Sequence, residues 1–337
     1  MRASAGEYTV NGAPRLSVIV PSWRRPADLA RCLAALDAQR LPPDEVIVVA
    51  RADDAPTHTL LRERERAWAR ECERARARGG AQPVRAALVV ARVNRPGVVA
   101  AYNCGLDAAR GEIVCFTDDD AAPHPDWTQR LAGAFARSPR VGGVGGRDIV
   151  HERGTVLTGA HARVGLVRWY GRAIGNHHVG CGAARPVHVL KGVNMAFRRD
   201  ALAGLRFDER LRGTGAQVHC EMQFSLDVVR RGWLLVYDPS ILVEHYPAVR
   251  GDEDQRFVFN DAAFYNASFN LRLIMREHLG LPGRCAFVVY ATLVGTRADP
   301  GLARALMLWA RSPASHAWRK WWIGMRAMRG AWQVQRR

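Results

Sequence analysis

Glu112-Ile113-Val114-Cys115-Phe116-Thr117-Asp118-Asp119-Asp120 decides how this chain of 337 residues is read. The apolar run is short and bounded, which predicts a buried strand. Three carboxylates at its C-terminal end repel one another and need a compensating partner. A divalent cation carrying a diphosphate supplies one, because hard oxygen ligands suit Mg²⁺ or Mn²⁺ and the ion neutralises aspartates and phosphates alike. An acidic turn ahead of Pro123 and Pro125 is the plainer alternative, since carboxylates also cap turns and helices.

Working outward toward the N-terminus, Leu16-Ser17-Val18-Ile19-Val20 is a second apolar run, broken by Pro21. Residues 27–39 then place Leu29, Cys32, Leu33 and Leu36 at helical spacing. Residues 45–49 predict another strand, ending in a polar loop with Asp53 and Asp54. Residues 60–78 read as a charged helix and 84–90 as a third strand. After Asn94-Arg95-Pro96-Gly97, residues 98–109 form a helix that leads into the aspartate strand. Strands alternating with helices predict an α/β fold with a parallel sheet and a ligand site at the C-terminal strand ends.

Beyond the triplet the pattern loosens. Gly142, Gly143, Gly145 and Gly146 read as a glycine-rich turn, not a phosphate loop, because no helix clearly follows. Residues 151–188 are rich in histidine and glycine; His177-His178 lacks further ligands at fixed spacing and reads as a flexible loop. Residues 257–278 and 284–296 predict helices. From 302 to 337 there is no acidic residue, and Trp318, Trp321, Trp322, Met325 and Trp332 fall on one helical face with Arg319, Lys320 and Arg326 off it. Aromatic anchors with cationic flanks describe a helix able to lie in a membrane interface; packing of those rings onto the core is the competing reading.

Composition narrows the class. With 48% hydrophobic and 24% charged residues the chain is not globally disordered. A formal charge of +17 attracts anions: nucleotides, nucleic acid or an acidic membrane. Nucleic acid is set aside because no recognised binding signature accompanies the charge. Seven scattered cysteines show no metal spacing and read as small core residues in a reducing compartment. The first 14 residues lack a signal peptide's apolar stretch, and no run approaches the ~20 apolar residues that span a bilayer. The expectation is a cytoplasmic protein able to sit at the inner membrane face.

Several features line up in order: Pro21-Ser22-Trp23-Arg24-Arg25-Pro26, Asn103-Cys104-Gly105, Asp118-Asp119-Asp120, Lys191-Gly192-Val193-Asn194-Met195-Ala196-Phe197-Arg198-Arg199, Glu221 ahead of a helix ending Arg230-Arg231-Gly232-Trp233, and His245. Together, over roughly residues 15 to 250, they resemble the family-2 nucleotide-sugar glycosyltransferases of the GT-A fold. The resemblance implies a catalytic domain over residues 1–250 and a basic, Trp-rich helical segment over 251–337. It implies a metal-dependent inverting enzyme using Mn²⁺ or Mg²⁺, a nucleoside-diphosphate sugar donor and a saccharide or lipid-linked acceptor, as in polysaccharide or glycolipid synthesis.

Residue by residue, the resemblance implies that Asp118 and Asp120 are the ends of a D-x-D motif, Asp120 holding the metal and Asp118 contacting the nucleotide ribose or the metal, with Asp119 on the nucleotide. His245 matches the histidine that completes coordination in some relatives. Pro21, Ser22 and Arg24 match the first-strand nucleotide loop, and Asn103 a polar residue on the next helix. Gly192 and Asn194 match the donor and acceptor loop. Glu221 aligns with the catalytic base, here preceded by Cys220; a carboxylate suits a step that removes a proton from an acceptor hydroxyl. One departure stands out: Ala50-Arg51 follow the second strand where relatives carry paired aspartates, so that either a shifted loop delivers Asp53 to the base or the base is read differently and the nucleotide is unassigned. A nucleotidyltransferase and an inactive membrane-docked scaffold are the rival readings.

Overall fold

The computed structural model describes residues 14–78, 85–249, 251–255 and 258–335. The expected strand start at 84, the helix start at 257 and most of the N-terminal stretch lie outside the described residues.

The first half is built from strand–helix units. Strand β1 (Leu16–Ser22) leads into α1 (Pro26–Asp37), β2 (Glu45–Arg51) into α2 (Ala55–Ala77), and β3 (Ala87–Val93) into α3 (Val98–Ala108). Strand β4 (Ile113–Phe116) delivers the aspartates, followed by the short β5 (Ala121–Pro123) and α4 (Trp127–Ala136). Pairing of β1 with β2 and β4, and of β2 with β3, is parallel. The carboxylates therefore stand at the C-terminal sheet edge, as expected of an open α/β sheet.

The second half closes the sheet with mixed pairing. Strand β6 (Val141–Glu152) is followed by β7 (Thr155–Val156), the hairpin β8 (Leu166–Val167) and β9 (Ala173–Ile174), and then β10 (Arg185–Val187) and β11 (Met195–Arg198). Helix α5 (Cys220–Arg230) precedes β12 (Leu234–His245). The order is β10-β12-β6-β11-β4-β1-β2-β3, with β11 antiparallel to β4 and β6, and β12 parallel to β6. Gly142 to Gly146 thus lie within a strand, not a turn. A Cβ at Gly142 would strike Trp233, and one at Gly143 would strike Phe197 and Leu235. Their absent side chains permit sheet packing.

Alternation along the strands divides the core. Val18, Val20, Ile113 and Cys115 face α1 and α4, where they meet Leu29, Leu33, Trp127 and Leu131. Ile19, Val114, Phe116 and Phe197 face the other way, onto Tyr102 of α3 and Phe224 of α5. Four helices follow: α6 (Asp261–His278), α7 (Leu281–Val289), α8 (Leu302–Arg311) and α9 (Ala317–Gln333). Phe269, Leu273, Phe287, Ala327 and Ala331 from these helices join that second core, so residues beyond 251 share apolar packing with the sheet.

Polar ties fix the C-terminal helices. Arg272 of α6 is buried and pairs with Asp299 at 2.7 and 3.2 Å. Arg276 donates to the carbonyls of Ala331 and Val334 at the end of α9. Removing one partner of such a buried pair leaves an uncompensated charge.

Candidate active site

A cavity of about 360 Å³ opens at the C-terminal ends of β1, β2 and β4, roofed by residues 214–221 and 251–252. Pro21, Ser22, Trp23, Arg25, Arg51, Asp118, Asp119, Asp120, Gly192, Glu221 and His245 all line it. Its size suits a small-molecule ligand.

The triplet does not act as three equivalent carboxylates. Asp118 is half-buried, with Tyr102 Oη 3.5 Å from its Oδ1. Asp119 is buried, accepts from Ser22 Oγ at 2.8 Å and faces Arg25 Nη1 at 3.2 Å. Burial pushes Asp119 up to about 7 against the pull of Arg25, and the charge of Asp120 adds to the rise. Asp120 accepts from the Ala248 N–H at 2.8 Å through Oδ2, leaving Oδ1 facing His245 Nε2 at 3.5 Å.

His245 arrives through pairing. Strand β5 turns back immediately after the triplet and pairs antiparallel with β12, setting His245 opposite Ala121. Parallel pairing of β12 with β6 sets Val243 opposite Asp148, bringing that fully buried carboxylate to 3.5 Å from His245 Nδ1. Lys191 Nζ also donates to Asp148. Burial disfavours the charged imidazole, but the Asp120 and Asp148 carboxylates outweigh it and hold His245 up at about 9. Burial likewise opposes ionisation of Asp120 and Asp148, yet His245 with its neighbours holds both at about 2.

Asp118, Asp120 and His245 each present a donor atom, and these atoms lie within 4.8 Å of one another. Asp120 Oδ1 and His245 Nε2 are buried without a hydrogen-bond partner. Orphaned buried polar atoms are costly unless something engages them, so this donor set fits a divalent cation.

Glu221 stands in the first turn of α5 and lines the same cavity, with Cys220 Sγ 3.5 Å from its carboxylate. The helix starts abruptly because His219 adopts a left-handed conformation, φ 77°. Gly192 lies close beneath Tyr102, whose hydroxyl would be 3.0 Å from a Cβ placed there.

Four of the expected residues are not among those lining the cavity. Arg24 has a left-handed backbone, φ 56°, its N–H donates to Asp54 Oδ2 at 2.5 Å and its guanidinium lies over the Trp23 ring. Arg25 faces the aspartates instead. Asp53 is engaged by Arg51 at 2.9 and 2.8 Å, while Asp54 caps α2. Asn103 is buried outside the cavity, with both ends of its amide on the Phe207 backbone. Asn194 is fully buried between Trp127, Arg147 and Ile241. Both asparagines hold backbone rather than line the pocket. His177, expected in a flexible loop, sits in a short 3₁₀ turn with Nε2 on the Val189 carbonyl at 2.9 Å.

Sequence reasoning missed Arg25, Tyr102, Trp23, Arg51 and Asp148. Trp23 and Arg25 lay within the Pro21–Pro26 motif and Arg51 beside the second strand, whereas nothing near Asp148 in sequence pointed to it.

A family model, Glycosyl transferase family 2, matches residues 17–205. The chain belongs to glycosyl transferase family 2. The family's match covers the strand–helix units, the aspartates and the Lys191–Asn194 loop. Glycosyltransferase AglE of Haloferax volcanii is 26% identical over 119 residues, 35% of this chain. The matched stretch is about a third of that relative's length, 34%. The structure of GalNAc-T7 with UDP, GalNAc and Mn²⁺ superposes with a TM-score of 0.59 at 15% identity, over 85% of this chain and 51% of that one. The mannosyltransferase PcManGT from Pyrobaculum calidifontis, in complex with GDP-Man and Mn²⁺, gives 0.54 at 19% identity, over 95% and 86%. These likenesses establish the GT-A fold for this member of the family.

Proposed function

We propose that this chain transfers a glycosyl group from a nucleoside-diphosphate sugar to an acceptor hydroxyl with inversion at the anomeric carbon. Asp118, Asp120 and His245 hold Mn²⁺ or Mg²⁺. Glu221 is the general base. The observation carrying this reading is one cavity lined both by Glu221 and by Asp118, Asp120 and His245, whose donor atoms lie within 4.8 Å of one another.

Glu221 accepts the proton of the acceptor hydroxyl as that oxygen attacks the anomeric carbon, while the bond from that carbon to the diphosphate breaks. A bound dication supplies charge neutralisation for the leaving diphosphate. Pro21 and Ser22 border the nucleotide, and Arg25 fixes Asp119 through their 3.2 Å contact. Gly192 leaves room beside Tyr102 for the sugar. The base lies against Trp23 and Arg51, in the place where Asp53 was expected to read it. The acceptor is a saccharide or a lipid-linked saccharide.

Two structural neighbours were solved with UDP and with GDP-Man, each with Mn²⁺, so UDP and GDP are the first diphosphates to test. A thermal-shift series with UDP, GDP, dTDP and CDP, with and without Mn²⁺ or Mg²⁺, reads binding to the folded state. The reading requires one diphosphate to stabilise the protein only with metal. A folded protein unresponsive to all four would leave an inactive scaffold. Release of pyrophosphate from an active preparation would instead indicate nucleotidyl transfer.

A further inference from the structure

Residues 281–337 contain ten lysines and arginines and one acid, Asp299, which is committed to Arg272. A surface helix ordinarily buries its large apolar residues and exposes polar ones. Here three consecutive helices also expose large apolar residues. Helix α9 packs through Ile323, Gly324, Ala327 and Ala331, leaving Trp318 and Trp322 exposed, Trp322 at 59%. Helix α8 buries Ala305 and exposes Leu306, Met307 and Trp309. Helix α7 buries Gly283 and Phe287, while Leu281, Cys285, Val289 and then Leu293 make an exposed stripe at four-residue spacing.

These faces are continuous. The Trp321 indole donates to the Thr292 carbonyl at 3.1 Å, joining α9 to the turn after α7, and its ring meets Trp318 and Trp322. The β8–β9 hairpin rides on α7, with Tyr170 against Tyr290 at 5.1 Å and Gly171 on Phe287, and projects Trp169, 69% exposed. Arg168, Arg172, Arg311 and Arg329 are exposed on the same elements.

We propose that this surface docks on an anionic phospholipid bilayer. Indole rings have an apolar body and a polar N–H, which suits the headgroup boundary, while arginines meet the phosphates. Charge decides the occupant: a second copy would bring two basic faces together, whereas an anionic membrane complements them. Attachment is peripheral, since no helix among the described residues is long and apolar enough to cross a membrane. The proposal does not rest on the sugar-transfer reading.

The test is co-sedimentation of the full chain with phosphatidylcholine vesicles and with vesicles also containing phosphatidylglycerol. Binding is expected to the anionic vesicles, weakening as salt shortens the Debye length to about 3 Å at 1 M. Trp309→Ser with Trp322→Ser is expected to lower partitioning about tenfold or more with an unchanged melting curve, because both rings already face solvent. Arg311→Glu with Arg329→Glu gives a second variant with folding even less at risk, and is expected to remove the preference for anionic lipid. Absence of vesicle binding, or binding that both variants retain, overturns the proposal. So does a lipid-free dimer that the tryptophan variant dissolves, which would assign the face to a second copy.

Discussion

Asn194→Ala removes a carboxamide fully buried between β6, β12 and α4. Its Oδ1 accepts from the Trp127 indole N–H at 2.9 Å, and its Nδ2 donates to the carbonyls of Ile241 at 3.0 Å and Arg147 at 3.2 Å. Each hydrogen bond contributes about 1 kcal/mol net, but a partner left buried and unpaired costs about 1–3 kcal/mol. Trp127 is fully buried, so its N–H has no water to turn to. The sum is a loss of about 3–5 kcal/mol, a large part of a typical stability of about 5–15 kcal/mol. Urea unfolding followed by circular dichroism should show a lower midpoint at unchanged slope. Donor-diphosphate affinity, measured where the variant is still folded, should stay within about threefold of wild type. Asn194→Asp should also destabilise, because a carboxylate cannot donate to two carbonyls. A loss under about 1 kcal/mol, joined to a tenfold weaker affinity, would refute the framing role and return Asn194 to the donor.

Glu221→Gln should keep donor-diphosphate affinity while lowering turnover by about 10² or more, and unchanged turnover would remove Glu221 from the mechanism. Asp120→Asn should abolish the metal-dependent part of the nucleotide thermal shift; retention of that part would place the ion elsewhere. Trp23→Ala should weaken diphosphate binding by about 5- to 100-fold if the base stacks there, whereas Asp53→Ala, with its carboxylate already on Arg51, should do less; the reverse order in calorimetry would restore Asp53 as the base reader. In metal-free protein His245 has its pKa raised from 6.5 to about 9, so its contribution to stability is fully present below pH 6.5 and is lost as pH rises through 9. The melting-temperature advantage of wild type over His245→Gln should shrink across that interval; a constant gap would sever His245 from the carboxylates. Mn²⁺ must displace the same proton, so its affinity should rise with pH over the same range.

The strand–helix alternation of the first 120 residues was legible because it is local: period-2 and period-3.6 patterns, turn residues and a chain break at Pro21 need no knowledge of distant contacts. The ends were less sharp. Strand β3 runs Ala87–Val93 and α2 begins at Ala55, since cap and pairing partners set those limits. Gly142 to Gly146 misled because glycines that admit Trp233 and Phe197 look the same in sequence as glycines of a turn.

Sequence alone carried the order of motifs, and with it the family, the carboxylates at a strand end and the candidate base at Glu221. Tertiary structure decided which of the named side chains share a cavity. A left-handed turn at Arg24 gave Arg25 the place at the aspartates, and the hairpin-like return of β5 along β12 set His245 beside Asp120. Strand register brought in Asp148, nearly a hundred residues from its histidine partner. Direction of a side chain depends on backbone dihedrals and pairing partners far away in the chain, and a linear motif records neither.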